Sequence, residues 1–449
     1  MASPTDTPAD VLAAVLARAK AAGADAADAL LYRSVASSVS VRLGETEEIE
    51  RSESTDLGLR VLVGQRQASV STTDMGRAGL DTLAERAVAM ARLAPEDPHI
   101  GLADASRLAT GDHPDLDRTD GLDPSSEELR ARALACEEAA RAVPGVTNSG
   151  GGSASTALAQ SWLATSHGFA GAAEGGSHSL SVSVLAGEGA GMERDYDYDS
   201  ATHLADMRSA EEIGRAAGER TVRRLNPRKL ESRRAPVVFE RRLASSLLGP
   251  LATAINGASI ARGTSFLKDH RGEKIFPANI TITDDPFVRR GFGSKAFDGE
   301  GLRPEPLNVI EDGVLTTWIL NTAQGRQIGE PSNARATRGV GGAPGSGTTN
   351  LDLGPGEMSL DALLRDTGEG LYLTDMFGPQ VNPNTGDYSV GCSGYWIEGG
   401  ELGEPVSEIT IAGTLLDMWS HLTAASDFKR TSARNTPTLR VAEMQIAGA

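Results

Sequence analysis

Hydrophobic residues along this chain alternate between a helical rhythm and a strand rhythm. Between residues 7 and 22 they fall at helical spacing, with Val11, Leu12, Val15 and Leu16 on one stripe. Thr7 can cap that helix, Pro8 suits its first position and Gly23 follows its end. SVSVRL (38–43) and ASVST (68–72) then alternate and GLRVLVG (58–64) is an apolar run, so three strands are predicted. Helical spacing returns over 78–94 through Leu80, Leu83, Val88 and Met90. A helix over 125–142 with Ser125 and Ser126 as candidate caps follows, then strands over 156–165 and 178–185, then a helix over 203–225. Leu180, Val182 and Val184 mark one buried strand face, and His167-Gly168 fits a turn between the two strands.

RLNPRKLESRRAP (224–236) is the clearest boundary, a polar, proline-containing stretch before the apolar PVVF. It divides the chain into 1–230 and 235–449. The second part carries short strand-like runs: ITIT (280–283), TTWIL (316–320), GLYLTDM (370–376), GYWIE (394–398), EITIAG (408–413) and TLRVAEMQIAG (438–448). Asp312-Gly313 and Gly399-Gly400 are hairpin-type turns. Short helices are expected near 242–256, 359–366 and 413–421, and Trp318, Trp396 and Trp419 as core residues. No fixed-period repeat is visible. The predicted class is α+β: an N-terminal α/β-sandwich-like domain, then a β-rich, mostly antiparallel C-terminal domain with short helices.

Charge narrows the function. The 449 residues include 43 basic and 61 acidic ones, a net −18, which disfavours nucleic acid and anionic membrane surfaces as partners. The acid is concentrated: Glu96 to Glu128 holds ten acidic and two basic residues, read as a solvated surface excursion, with a docking strip for a basic partner as the alternative. The base is concentrated too, nine residues from Arg220 to Arg242, read as a charged connector or, alternatively, a patch facing an acidic partner subunit. Two cysteines exclude a disulfide scaffold. The first 23 residues read as an amphipathic helix, not a signal peptide, and no run suits a membrane span, so a cytoplasmic location is expected.

Familiar catalytic patterns are missing. There is no HExxH, no GxxxxGK[ST], no Ser with Gly at both −2 and +2, and no two histidines three to five residues apart. The glycine-rich RGVGGAPGSG (338–347) lacks the strand–helix context of a phosphate loop. Asp195, Asp197 and Asp199 would share one strand face, as oxygen ligands for Ca²⁺ or Mg²⁺ or, more plainly, as a solvated face. Cys392 and His421 could form a thiol–imidazole pair if the fold brought them together.

Three long stretches of the second half resemble the TldD/PmbA family of metallopeptidases, in its PmbA (TldE) branch: SSLLGPLATAINGASIARGTSFLKD (245–269), SKAFDGEGLRPEPLNVIEDGVLTTWIL (294–320) and NTGDYSVGCSGYWIEGGELGEPVSEITIAGTLLDMW (384–419). The first half agrees in outline, through its opening helix, its strand pairs and the ATSHGFAG hairpin (164–171). The resemblance implies a mechanism from which this chain departs. TldD-type subunits carry a His-Glu-x-x-x-His helix and a distant Cys that bind zinc, activating a water with the Glu as base. Anchored on RGTS (262–265), the two His positions hold Leu248 and Thr253 and the Glu position holds Gly249. The late segment that would supply the Cys reads ASDFKRTSARNTPTLRV (425–441), and Cys392 lies too early to replace it.

The resemblance therefore implies a chain without zinc or other cofactor. It would pair with a TldD-type catalytic subunit that carries the zinc, in a cytoplasmic heterodimeric peptidase for unfolded peptides. Family roles include maturation of peptide natural products and breakdown of small antitoxin proteins. A β-rich partner can offer strand edges to an extended peptide. Arg338, Gly339, Thr349 and Asn350, in and after the glycine-rich loop, are the candidate groove lining. Two alternatives stay open: a homodimeric protein binding a peptide or small molecule, and a stand-alone amide hydrolase built on Cys392, Asp387 or the 195–199 carboxylates.

Overall fold

The computed structural model describes residues 7–111 and 113–448; residues 1–6, part of the stretch weighed above as a signal peptide, lie outside these. Helix α1 (Pro8–Ala21) opens on a reciprocal cap, Thr7 accepting from the Asp10 N–H while Asp10 accepts from the Thr7 N–H. Next come strands β1 (Ala26–Arg42), β2 (Glu45–Val63) and β3 (Arg66–Thr72) and helix α2 (Arg77–Leu93). After a long connection the same order recurs: α3 (Ser126–Arg141), β4 (Val146–Thr165), β5 (Ala170–Ala186), β6 (Glu193–Ala201) and α4 (Ala210–Arg223). The six strands form one antiparallel sheet, ordered β3-β2-β1-β4-β5-β6. The two αβββα halves thus meet back to back at β1 and β4. This is a structural duplication with no counterpart in sequence period.

Both helix pairs cover the same sheet face. Helices α1 and α2 close over Leu31, Leu57, Leu59 and Val61; α3 and α4 close over Val39, Val41, Leu180, Val182 and Val184. The opposite face carries short side chains, among them Ser34, Ser38, Ser155, Ser161, Ser179 and Ser181. At one end of it the C-terminal domain docks, with Phe297 and Val340 against Leu30, Leu163 and Phe169.

That domain is built on strands that close on themselves. Arg233–Phe239 runs parallel to Gly370–Val381 and antiparallel to Leu439–Ala447. Gly370–Val381 pairs with Asp387–Glu398, which pairs with Glu401–Thr414, and Thr410–Ala412 returns to Gln445–Ala447. The core holds Val237, Phe239, Leu371, Val390, Ile411 and Trp419, with Trp419 stacked on Phe266 and Phe276. Trp318 and Trp396 are buried as expected. Both predicted hairpin turns form: Asp312-Gly313 and Gly399-Gly400 take positive φ at both central residues. A smaller sheet of Ile282–Asp285, Leu307–Glu311, Val314–Leu315, Asn350–Leu353 and Arg434–Asn435 lies alongside. The whole is mixed α+β with mostly antiparallel sheets, as the sequence predicts. No helix among the described residues is long and apolar enough to cross a membrane.

The acidic connection 95–124 runs over the surface as expected, but it is anchored. It is a strap that passes round the β5 edge from one sheet face to the other. Ala103, Ala109 and Leu116 are buried, Leu108 bridges to Leu302, and the Gly176 N–H donates to Arg118 O at 2.9 Å. Several of its carboxylates answer to this chain's own groups. Asp117 meets Arg289, Arg290 and His203; Asp123 meets Arg51; Asp120 lies 3.0 Å from His178 Nε2 and accepts from the Leu204 N–H. Burial works to raise the Asp120 carboxyl, but the Leu204 N–H and His178 outweigh it and hold it at about 2. His167, in the predicted turn, pins the strap from the sheet side, its Nε2 lying 2.8 Å from Ala103 O.

Under the strap lies a buried acid. Glu300 accepts from the Thr322 N–H and hydroxyl at 2.9 and 2.6 Å, yet burial, with Asp298 beside it, lifts its carboxyl to about 7 from 4.5. A raised carboxyl pKa disfavours the folded state increasingly as pH climbs from 4.5 to 7. Glu300→Gln is therefore expected to add up to about 3 kcal/mol of stability at pH 8 and almost none below pH 5. Urea denaturation at the two pH values checks this, and an equal gain at both would refute it.

Candidate functional site

The alternation in Asp195-Tyr196-Asp197-Tyr198-Asp199 places the three carboxylates on the β6 face toward α4. They are neither solvated nor ligand-like, and this corrects both readings of the run. All three are buried, and each meets guanidinium groups. Asp197 meets Arg208 at 2.8 Å and Arg220 at 2.9 Å; Asp195 meets Arg224 at 3.4 Å and Arg242 at 3.5 Å; Asp199 accepts from the Arg208 N–H at 2.8 Å. Burial alone would raise the Asp197 carboxyl, but Arg208 and Arg220 hold it below the usual range. Arg224 also reaches Asp375 at 3.1 Å and Ser393 Oγ at 2.5 Å across the domain junction.

Much of the basic run 220–242 thus meets groups of this chain itself. Arg228 pairs with Glu404, Lys229 with Glu408 and Arg234 with Glu443, while Arg223 and Arg233 lie over the Tyr395 and Trp396 rings. Arg242 and Arg208 also donate to the carbonyls of Tyr196 and Tyr198, at 2.9 and 2.7 Å. The outer edge of β6 is therefore partly occupied, and is not an open edge for an added strand.

Between β6 and the C-terminal domain runs a groove of two adjoining cavities, about 130 and 200 Å³, which share Asp199, Lys429, Thr431 and Ser432. Arg241, Ser245, Arg434 and Thr436 line the smaller one. It lies beside the helix Leu248–Ala254, since a Cβ on Gly249 would stand 3.6 Å from Arg434 Nη1. This helix holds the three positions to which the resemblance assigns zinc ligation and base catalysis. Leu248 is 1% exposed in the hydrophobic core. Thr253 is exposed on another side, donating its hydroxyl to Gly249 O at 3.1 Å and lining a separate cavity of about 480 Å³ with Pro250, Arg262 and Phe266. The three positions do not converge on one opening, and leucine, glycine and threonine make no zinc donor set. Among the described residues no group of three or more His, Cys, Asp or Glu could hold a metal ion.

The other candidates are scattered. Arg338 is not a groove residue: its side chain is buried at the domain junction, bonded to Asp28 at 2.8 Å, where Asp28 also pairs with Arg60. A Cβ on Gly58 would lie 2.2 Å from Val340 O, so the glycine-rich loop is pressed against the first sheet. Gly339 is exposed there. Thr349 is buried. Asn350 does border the larger cavity, but its amide is spent on Gly293 N, Asp285 O and Ser294 Oγ. Cys392 is 1% exposed in the barrel core, and burial pushes its thiol up to about 12. His421 is exposed on the surface, its ring against Asp417 and Ser420, so the imagined pair does not form. Asp387 is exposed and accepts from Thr385 Oγ1 at 2.6 Å. Sequence reasoning missed Arg208, Arg241, Lys429, Arg434 and Thr436 as site residues.

Three family models match the chain in succession: PmbA/TldA metallopeptidase domain 1 over residues 27–91, the central domain over 119–225 and the C-terminal domain over 232–448. The chain is 36% identical over 426 residues to the metalloprotease PmbA of Escherichia coli O157:H7, covering 94% of this chain and 92% of that one. The chain belongs to the PmbA/TldA metallopeptidase family. A PmbA homolog from Haemophilus influenzae is 35% identical over 92% of this chain and 90% of its own. A crystal structure from Bacteroides thetaiotaomicron, bearing the name of a modulator of DNA gyrase, superposes with a TM-score of 0.90 at 28% identity, covering 99% of this chain and all of that one. TldE from Thermococcus kodakarensis shares the fold, with a TM-score of 0.88 at 20% identity over 98% of this chain and all of that one. In PmbA/TldA terms, the groove lies where the segments matched as central and C-terminal domains meet.

Proposed function

We propose that this chain is the zinc-free accessory subunit of a TldD/TldE-type heterodimeric peptidase, working in the cytoplasm beside a zinc-carrying catalytic chain on unfolded peptides. One observation carries this reading. Where the catalytic branch of the family is expected to hold its two His ligands and its Glu base, this chain has a core leucine, a glycine beside an arginine, and an outward threonine. A cation, Arg434, stands beside the Glu position, where it would oppose a bound Zn²⁺. The short-side-chain face of the first sheet leaves room for an extended peptide to lie flat, in keeping with a subunit that shapes a chamber rather than cuts.

The test is a mixing experiment. This chain, a TldD-type chain and their mixture are each analysed by native mass spectrometry and assayed on an unfolded peptide. Cleavage only by the mixture, with one zinc that stays with the partner, is the expected result. Peptide cleavage by this chain alone, or zinc retained by it alone, would overturn the proposal. A homodimer indifferent to the partner would favour the peptide- or ligand-binding alternative.

A further inference from the structure

The smaller cavity of the groove is unusual on a chain of net charge −18. Its lining carries six cationic side chains against the two carboxylates Asp197 and Asp199. Arg208, Arg220 and Arg242 are committed to carboxylates. Arg241, Lys429 and Arg434 have no ion-pair partner among the described residues. Three cations from two distant stretches of the chain therefore gather around one recess without internal neutralisation.

A second observation is independent of charge. Thr436, in the same lining, is 2% exposed, and its hydroxyl has no hydrogen-bond partner. A buried hydroxyl left unpaired costs free energy, and natural proteins rarely leave one so. An oxygen-bearing anion in the recess would accept from that hydroxyl while meeting the free cations. A metal ion would be repelled by them, and a neutral ligand would leave their charge unanswered.

We infer that this recess is an oxyanion site, taking one carboxylate or phosphate group on Arg241, Lys429 and Arg434, with the Thr436 hydroxyl as a neutral donor. Guanidinium and ammonium donors bind such groups through short charge-assisted hydrogen bonds. The site belongs to this chain alone and does not depend on a catalytic partner.

Isothermal titration of the isolated full chain tests it, with inorganic phosphate in one arm and a short peptide in the other. The peptide is used with a free C-terminal carboxylate and again as its C-terminal amide. Saturable binding of phosphate, or of the acid in preference to the amide, is expected, and which arm binds identifies the source of the anion. Lys429→Ala and Arg434→Ala should each weaken it by about tenfold or more. Both side chains are exposed at the rim, so the thermal midpoint without ligand should not move. Thr436→Val should weaken binding while leaving stability equal or higher, which a merely structural hydroxyl would not do. Absence of binding in both arms, or binding unchanged by the two alanine variants, would overturn the inference.

Discussion

Arg335→Ala is expected to cost about 3–5 kcal/mol of stability, a large share of the total for a domain of ordinary stability. Arg335 and Asp284 are both fully buried and form an ion pair through Arg335 Nε. The guanidinium also donates to Asp284 O at 3.2 Å and Glu305 O at 2.6 Å, and Asp284 Oδ1 accepts from the Thr349 N–H at 2.6 Å. Truncating the arginine strands a carboxylate in the interior and orphans two carbonyls at once. Removing both charges is a different matter. The double change Arg335→Met with Asp284→Leu should cost less than Arg335→Ala alone, because no unpaired charge remains. Urea denaturation followed by circular dichroism measures all three. A single variant within about 1 kcal/mol of the parent would show the pair to be dispensable.

Arg224→Ala should have a comparable cost, about 3–5 kcal/mol, and a further signature. This arginine caps the C-terminal end of α4 and joins Asp195 and Glu193 of β6 to Asp375 and Ser393 of the barrel. Its loss leaves buried carboxylates on both sides of one junction, where Arg242 compensates only Asp195. The two domains should then unfold in separate steps. Trp318, Trp396 and Trp419 lie in the C-terminal domain and Trp162 in the first sheet, so in a Trp162→Phe background the fluorescence transition should no longer coincide with the far-ultraviolet one. Arg224→Lys keeps the charge but not the fork, and should fall between. Coincident transitions in Arg224→Ala would count against this junction as the coupling element.

Much of the secondary structure is legible in the sequence because burial on one face writes a period. The stripe Leu180, Val182, Val184 and the caps Thr7 and Ser125 are examples. Where the period fails, so does the reading. β1 extends well before SVSVRL, because its first half is flanked by both a core and a docked domain and does not alternate. Trp318, Ile319 and Leu320 of TTWIL are buried, but Ile319 makes only an isolated bridge to Asn256, and a short apolar run does not by itself declare a strand. The anchoring of the acidic strap is not legible in the sequence because its partners, such as Arg290 and His203, lie far along the chain. The groove was invisible for the same reason: Arg208, Arg241 and Arg434 share no local pattern. The glycines after Arg338 allow a close approach, but the approaching surface is the chain's own first sheet rather than a ligand.

The back-to-back arrangement of the N-terminal sheet bears on how the molecule is made. β1 pairs along most of its length with β4, from Asp28 opposite Thr165 to Val41 opposite Gly152. During synthesis the first αβββα half emerges with that 17-residue strand unpaired on one side until residue 165 has left the ribosome. An exposed edge of this length invites the wrong neighbour, including the same segment of another nascent chain. The order of synthesis thus leaves the first half open to mispairing until β4 arrives to cover it.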